Sequence, residues 1–190
     1  VFVTPVGPYY KEGFNPIKVL IDRDHDRAAP LGTGHVKAGG NYAASLTSAE
    51  IGHEKGYPSV LYLDAKEKKH IDECGAANFF GIRDGVYITP KSHSVLPSIT
   101  NMSLTLAAEM GLKVEQRPVD YDELGTFDEA GSCGTAAVLS PIGSIYDPQT
   151  GHTFVYNDGK PGKWSEKLYH RLRAIQYAEE PDTYGWMAAL

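Results

Sequence analysis

A lysine set among glycines is the first residue of this chain with the makings of chemistry. Lys37 sits in the stretch GTGHVKAGGNY, flanked by Gly32, Gly34, Gly39 and Gly40. A lysine amine forms Schiff bases with carbonyl compounds. The glycines let the backbone approach a bulky ligand. Read alone, Lys37 is also an ordinary exposed lysine. Glu73 ends the segment HIDE and precedes CGAANFF. A carboxylate there is either a surface cap or the partner of a buried cationic nitrogen. Ile99 and Thr100 stand where a helix begins, and free N–H groups with a hydroxyl suit a phosphate. A simple N-cap explains them equally. Ser132 to Ala137, SCGTAA, reads as an anion-binding nest around Thr135 or as a tight structural turn. The histidines, His25, His35, His53, His70, His93, His152 and His170, show no tight metal-ligand spacing. No GxSxG elbow or Walker loop is present.

The elements that must position these residues alternate between strand and helix. VFVTPVGPYY, broken by Pro5 and Pro8, reads as a strand or extended entry segment. IKVLIDR from Ile17 and SVLYLDA from Ser59 are strands by their branched apolar content. The spacing predicts a helix from Tyr42 to Gly56 with Ala43, Leu46, Ala49 and Ile51 as its apolar stripe. NFFGIRDGVYITP reads as a hairpin turning at Asp84 and Gly85. LPSITNMSLTLAAEMG reads as a loop and then a helix, capped by Ser98 or Thr100 and ended by Gly111. LKVEQRPV is a strand by alternation, and DYDELGTFDEA a short helical turn with an acidic loop. GSCGTAAVLSPIGSIYDPQTG reads as a small-residue turn, a strand and a hairpin tip. A last helix runs from about Glu166 to Tyr177, with Leu168, Leu172 and Ile175 on one face. The interspersed pattern is that of a mixed α/β or α+β domain.

Composition sets the outer bounds. The chain has 190 residues, 42% of them apolar, enough for one domain with a sizeable core. A net charge of −6 implies no basic field for nucleic acid. The charged runs DRDHDR and KEKKH are mixed in sign. Two cysteines, Cys74 and Cys133, give no disulfide framework and read as reduced, partly buried thiols. No apolar run is long enough for a membrane span, and no signal-peptide pattern is visible.

Taken together, GHVKAGGNYAASL, HIDECGAANFF, VLPSITNMSL and GSCGTAAVLSPI resemble the branched-chain amino acid aminotransferase family. That family lies within the fold-type IV group of pyridoxal-phosphate enzymes. PVGPYY and the closing IQYAEEPDTYGW are similar to the family as well, so the resemblance covers nearly the whole chain. It implies the large domain of a D-amino acid aminotransferase-like fold, a β-rich pseudo-barrel with surrounding helices. It implies transamination between leucine, isoleucine or valine and 2-oxoglutarate, with pyridoxal 5'-phosphate as cofactor and no metal. Lys37 would hold the cofactor covalently and serve as the proton-moving base. Tyr42 would bond its phenolic oxygen, and Glu73 would pair with its pyridine nitrogen. Ile99 and Thr100 would hold the phosphate with help from Thr135. Thr135 and Ala136 would give backbone N–H groups to the substrate carboxylate. Small-molecule substrates, a homodimer and a cytoplasmic setting follow from the same resemblance, with no nucleic-acid or membrane partner.

The chain departs from the family in places. Ser98 and Asn101 stand where the family often has glycine and arginine, and the thiol pair of mammalian members is missing. The family also places a small domain before this one, supplying an arginine to the phosphate and much of the apolar side-chain pocket. No such region precedes Val1. The chain is therefore expected to be a large-domain fragment that is poorly active alone. The nearest rivals are other fold-type IV enzymes, a D-amino acid aminotransferase or an aminodeoxychorismate lyase. A different class of answer is a non-catalytic ligand-binding domain.

Overall fold

Branched and aromatic residues at alternate positions build most of this structure, a computed structural model that describes residues 4, 5, 7, 9, 10, 13–104 and 106–188. The elements are β1 (Ile17–Asp22), α1 (Gly39–Glu54), β2 (Ser59–Leu63), β3 (Ile71–Cys74), β4 (Ala77–Arg83) and β5 (Val86–Pro90). They continue with α2 (Ile99–Ser103), α3 (Leu106–Glu109), β6 (Lys113–Arg117), β7 (Glu129–Gly134), β8 (Val138–Asp147), β9 (His152–Val155) and α4 (Lys163–Gln176). Short 3-10 turns cover Tyr121–Thr126 and Asn157–Gly159.

Six strands close on themselves in the order β3-β2-β1-β8-β7-β4, with β4 pairing back to β3. Closure leaves those strands no free edge. β1 runs parallel to both β2 and β8, and the other barrel pairings are antiparallel. β5 and β6 extend the sheet from β4, and β9 pairs with β8. The mixed α/β class is as the residue pattern implies, and the barrel with surrounding helices is as the resemblance implies.

Strand alternation divides the core in two. Ile17, Val19 and Ile21 of β1 join Leu61 and Leu63 of β2, Phe79 of β4 and Ile142 and Ile145 of β8 in one cluster. Phe80 and Ile82 of β4 belong to the second, with Leu139 of β8, Leu106 and Ala107 of α3 and Leu168, Leu172 and Ile175 of α4. The helical spacing of α4 thus buries the face its sequence marks. Cys74 and Cys133 are free and fully buried, and burial pushes both thiols up to about 12. They are inert packing residues at neutral pH.

Some local expectations change. The entry segment falls largely on residues outside the described set. α1 forms, and Gly56 follows it at φ 81, but its apolar stripe does not face the core. Asn41, Ser48 and Gly52 are buried, while Leu46 is 67% exposed and Tyr42 38%. The reason is close approach. A Cβ on Gly52 would stand 2.9 Å from Val60 Cγ2, so only very small side chains fit between α1 and β2. The predicted helix after Pro97 is two short helices, α2 and α3, separated near Leu104. Ser98 caps the first through Asn101 N–H at 3.2 Å. Ser132 to Gly134 lie in β7, Ser132 and Cys133 paired by both β4 and β8 and Gly134 by β8, so the turn is confined to Thr135–Ala137. The hairpin turns as expected, with Asp84 at φ 50 and Gly85 at φ 72.

α4 carries no cap of its own at Gly162. Glu129 of β7 supplies one from a distance. Its Oε1 accepts Trp164 N–H at 2.9 Å, and its Oε2 accepts Ser165 N–H at 2.9 Å and Ser165 Oγ at 2.8 Å. A carboxylate suits the positive end of a helix. Glu129→Ala should leave these donors buried and unpaired and cost about 3 kcal/mol. A urea unfolding midpoint checks this; a loss within about 0.5 kcal/mol, as for an exposed surface change, would contradict it.

Candidate active site

Loops from several elements meet at one end of the barrel and leave a cleft of about 180 Å³. Arg27, Lys37, Tyr42, Glu73, Asn78, Leu96, Ser98, Ile99 and Thr135 are among its lining. Grooves of about 580 and 560 Å³ exist elsewhere. The smaller cleft is the one where an amine, a buried carboxylate and hydroxyls converge, so chemistry rather than volume singles it out.

Lys37 comes from the glycine-rich segment between β1 and α1. Asn41, at the start of α1, ties that segment down. Its Nδ2 donates to Thr33 O at 2.7 Å and Val36 O at 3.0 Å, and its Oδ1 accepts Thr33 Oγ1 at 2.9 Å. Lys37 itself stays exposed. Tyr42, the residue after Asn41, borders the same cleft.

Glu73 is buried in β3, only 4% exposed. Arg27, 6% exposed, meets its Oε1 at 2.8 Å. Leu96 N–H donates to Oε1 at 3.2 Å, and Asn78 Nδ2 donates to Oε2 at 3.1 Å. Burial pushes the Glu73 carboxyl up to about 7, against the pull of Arg27 and the Leu96 N–H. Asp72 adds to the rise, and the positive charge of Lys37 opposes it. Arg27 also donates to Gly34 O at 3.2 Å and to Ser94 O. A Cβ on Gly34 would collide with the Ser94 backbone, so that glycine lets the two loops touch. The Arg27 Nε is buried without a partner among the described residues.

Ile99 and Ser98 bring the start of α2 to the cleft. Asn101 fixes that start. It accepts Tyr87 Oη at 2.8 Å and donates to Thr89 Oγ1 at 3.0 Å, so the departure at this position serves the packing of α2 on β5. Thr135 opens the turn between β7 and β8, and Val138 closes it at φ 55, a strained value for a β-branched residue.

The structure therefore brings Lys37, Tyr42, Glu73, Ile99 and Thr135 together. It does not bring in all the sequence candidates. Thr100 is buried within α2 and is not among the residues lining this cleft. Ala136 lines the neighbouring groove beside Thr135. Arg27 was not a sequence candidate. Its only signal was a place at the end of a mixed charge run, ten residues before Lys37.

A closed mixed α/β barrel with a lysine and a buried carboxylate at one mouth defines the class of domain. Residues 3–145 match the family described as Amino-transferase class IV, and the chain belongs to that family. It is 46% identical to a branched-chain-amino-acid aminotransferase of Haemophilus influenzae, over 98% of this chain and 56% of that one. It is also 46% identical to the enzyme of that name from Helicobacter pylori, over 98% of this chain and 55% of that one. The chain thus spans little more than half the length of these relatives. Among solved structures, the Escherichia coli branched-chain amino acid aminotransferase superposes with a TM-score of 0.86 at 29% identity, covering 98% of this chain and 60% of that one. The Thermoproteus uzoniensis branched-chain aminotransferase, solved with norvaline, gives 0.83 at 26% identity, covering 97% and 59%.

The raised Glu73 carboxyl sets a pH dependence for the ligand-free chain. Folded, Glu73 keeps its proton up to about pH 7; unfolded, it releases it near 4.5. Its contribution to stability is fully present below about 4.5 and is lost as pH rises through about 7. Glu73→Gln cannot titrate and should remove that part of the slope. Urea midpoints of both chains at the two ends of the window check this. Identical slopes would contradict it.

Proposed function

We propose that this chain carries the cofactor-binding part of a pyridoxal-phosphate-dependent branched-chain amino acid aminotransferase. The reaction moves the amino group of leucine, isoleucine or valine to 2-oxoglutarate, giving a branched 2-oxo acid and glutamate. The observation that carries the reading is Lys37 and the buried Glu73 on one cleft in a class IV aminotransferase chain.

The donor set fits the cofactor. Lys37 offers an amine for an aldehyde, Glu73 a carboxylate for a ring nitrogen, and Tyr42 and Thr135 hydroxyls for oxygen substituents. The unpartnered, buried Arg27 Nε is a polar group that a ligand in this cleft can satisfy. When bound, pyridoxal phosphate supplies an electron-accepting ring and a reactive aldehyde.

The residues of this chain do the rest. Lys37 would hold the group through its amine and would serve as the base for the substrate α-proton. Glu73, costly to ionise beside Arg27 alone, would hold a protonated ring nitrogen as a second cation and keep its proton in place. Tyr42 is assigned to the phenolic oxygen. Ile99, Thr100 and Thr135 are assigned to the phosphate, with Thr100 acting through the backbone at the start of α2. Thr135 and Ala136 N–H groups are assigned to the substrate carboxylate. This assignment places phosphate and carboxylate on the two sides of one turn, because Thr135 borders both the cleft and the adjoining groove.

The outer face of α1 supports a protein partner, since Leu46 is exposed beside Tyr9, 49% exposed. A second copy of this protein is the partner proposed, in a cytoplasmic homodimer. Among the described residues no helix is long and apolar enough to cross a membrane.

Lys37→Ala in the full-length protein tests the reading. A leucine and 2-oxoglutarate assay should fall about 10²–10⁴-fold, the range for one positioned acid–base group, with circular dichroism unchanged. Turnover near wild type would refute the role of Lys37.

A further inference from the structure

Glu73 is not the only buried carboxylate at this mouth. Asp72, the residue before it, is 3% exposed. Its Oδ1 accepts Ser92 Oγ at 2.9 Å, and its Oδ2 accepts Ser94 Oγ at 2.6 Å. The two hydroxyls lie 2.9 Å apart, and Ser94 N–H turns back to Ser92 Oγ at 3.2 Å. Asp72 therefore grips the loop after β5 from both ends of its carboxylate.

That loop serves the cleft directly. Ser94 O accepts Arg27, Leu96 N–H donates to Glu73, and Leu96 O accepts Asn78 Nδ2 at 2.9 Å. Asn78 is the other donor to Glu73. The contacts that satisfy Asp72 are hydroxyls, whereas Arg27 pairs with Glu73. Arg27 thus pairs with one of two consecutive buried carboxylates, and Ser94 links it to the other, accepting Arg27 at its carbonyl and donating to Asp72 from its hydroxyl. Once Glu73 has given up its proton, the Arg27–Glu73 pair is neutral and has little attraction left for a cationic ligand atom. Counted formally, Asp72 adds one negative charge to that pair. A buried carboxylate held only by neutral donors is costly, and simple loop anchoring does not require its charge.

We propose that Asp72 is a positioning residue of this cleft. Through Ser92 and Ser94 it fixes the loop that holds Arg27 and Glu73, and its charge matches the site to a ligand ring carrying a protonated nitrogen. The inference deepens the function proposed above and rests on it.

The test compares binding of pyridoxal phosphate with that of its 1-deaza analogue, in which carbon replaces the ring nitrogen, to the cofactor-stripped full-length protein. The ratio of the two Kd values isolates what the ring nitrogen contributes. Asp72→Asn should shrink the ratio by about tenfold, the size of one nearby partly screened charge. Asp72→Glu keeps the charge and should hold the ratio within about twofold. A purely structural role predicts the opposite order, because the extra methylene of glutamate overpacks a buried site. An unchanged ratio in Asp72→Asn, or a lost one in Asp72→Glu, overturns the proposal. Should Asp72→Asn fail to fold, the Asp72→Glu ratio decides alone. A wild-type protein that does not bind pyridoxal phosphate would overturn the proposed function and this inference together. Binding by wild type with no change in Asp72→Asn overturns this inference alone.

Discussion

The 2.8 Å contact between Arg27 and Glu73, an ion pair once Glu73 has lost its proton, draws the mouth of the barrel together. Arg27 lies beyond the end of β1, Glu73 within β3, and both reach the loop after β5 through Ser94 and Leu96. A buried pair of this kind is a weak source of stability, because removing both charges from water offsets most of their attraction. Breaking it is different, since one partner then stays buried and uncompensated. The pair therefore acts as a constraint on geometry. Glu73 must stay where Arg27, Leu96 and Asn78 can serve it, and the cleft takes its shape from that requirement.

The closed barrel makes the constraint affordable. Its strands are held on both sides, and apolar clusters lie on both of their faces. Loops at its end can carry polar and strained groups without loosening the core. Val138 at φ 55, the Gly34 contact with Ser94 and the side-chain staple of Asn41 are such groups. Each shapes a loop that borders the cleft or the groove beside it.

Much of the frame was legible in the sequence, for reasons that differ by element. β1 and β2 announce themselves by runs of branched residues, and α4 by the spacing of Leu168, Leu172 and Ile175. The buried face of α1 was not legible. Periodicity marks hydrophobic faces, and this helix packs through Asn41, Ser48 and Gly52 because β2 lies so close. Nothing in the local spacing marked the break between α2 and α3 near Leu104. In the site, Lys37 and Glu73 were ambiguous one at a time and gained meaning only from the family resemblance that four motifs carry together. Arg27 and Asp72 were silent, because their roles arise from loop contacts 67 and 22 residues away.

The central claim is that the lysine at this mouth is the covalent anchor for pyridoxal phosphate, opposite a carboxylate held by Arg27. Borohydride reduction of the full-length protein loaded with pyridoxal phosphate, followed by peptide mass spectrometry, tests it most directly. The account predicts one stoichiometric pyridoxyl adduct, on the peptide containing Lys37. An adduct spread over surface lysines, or one concentrated on a different lysine, would contradict it.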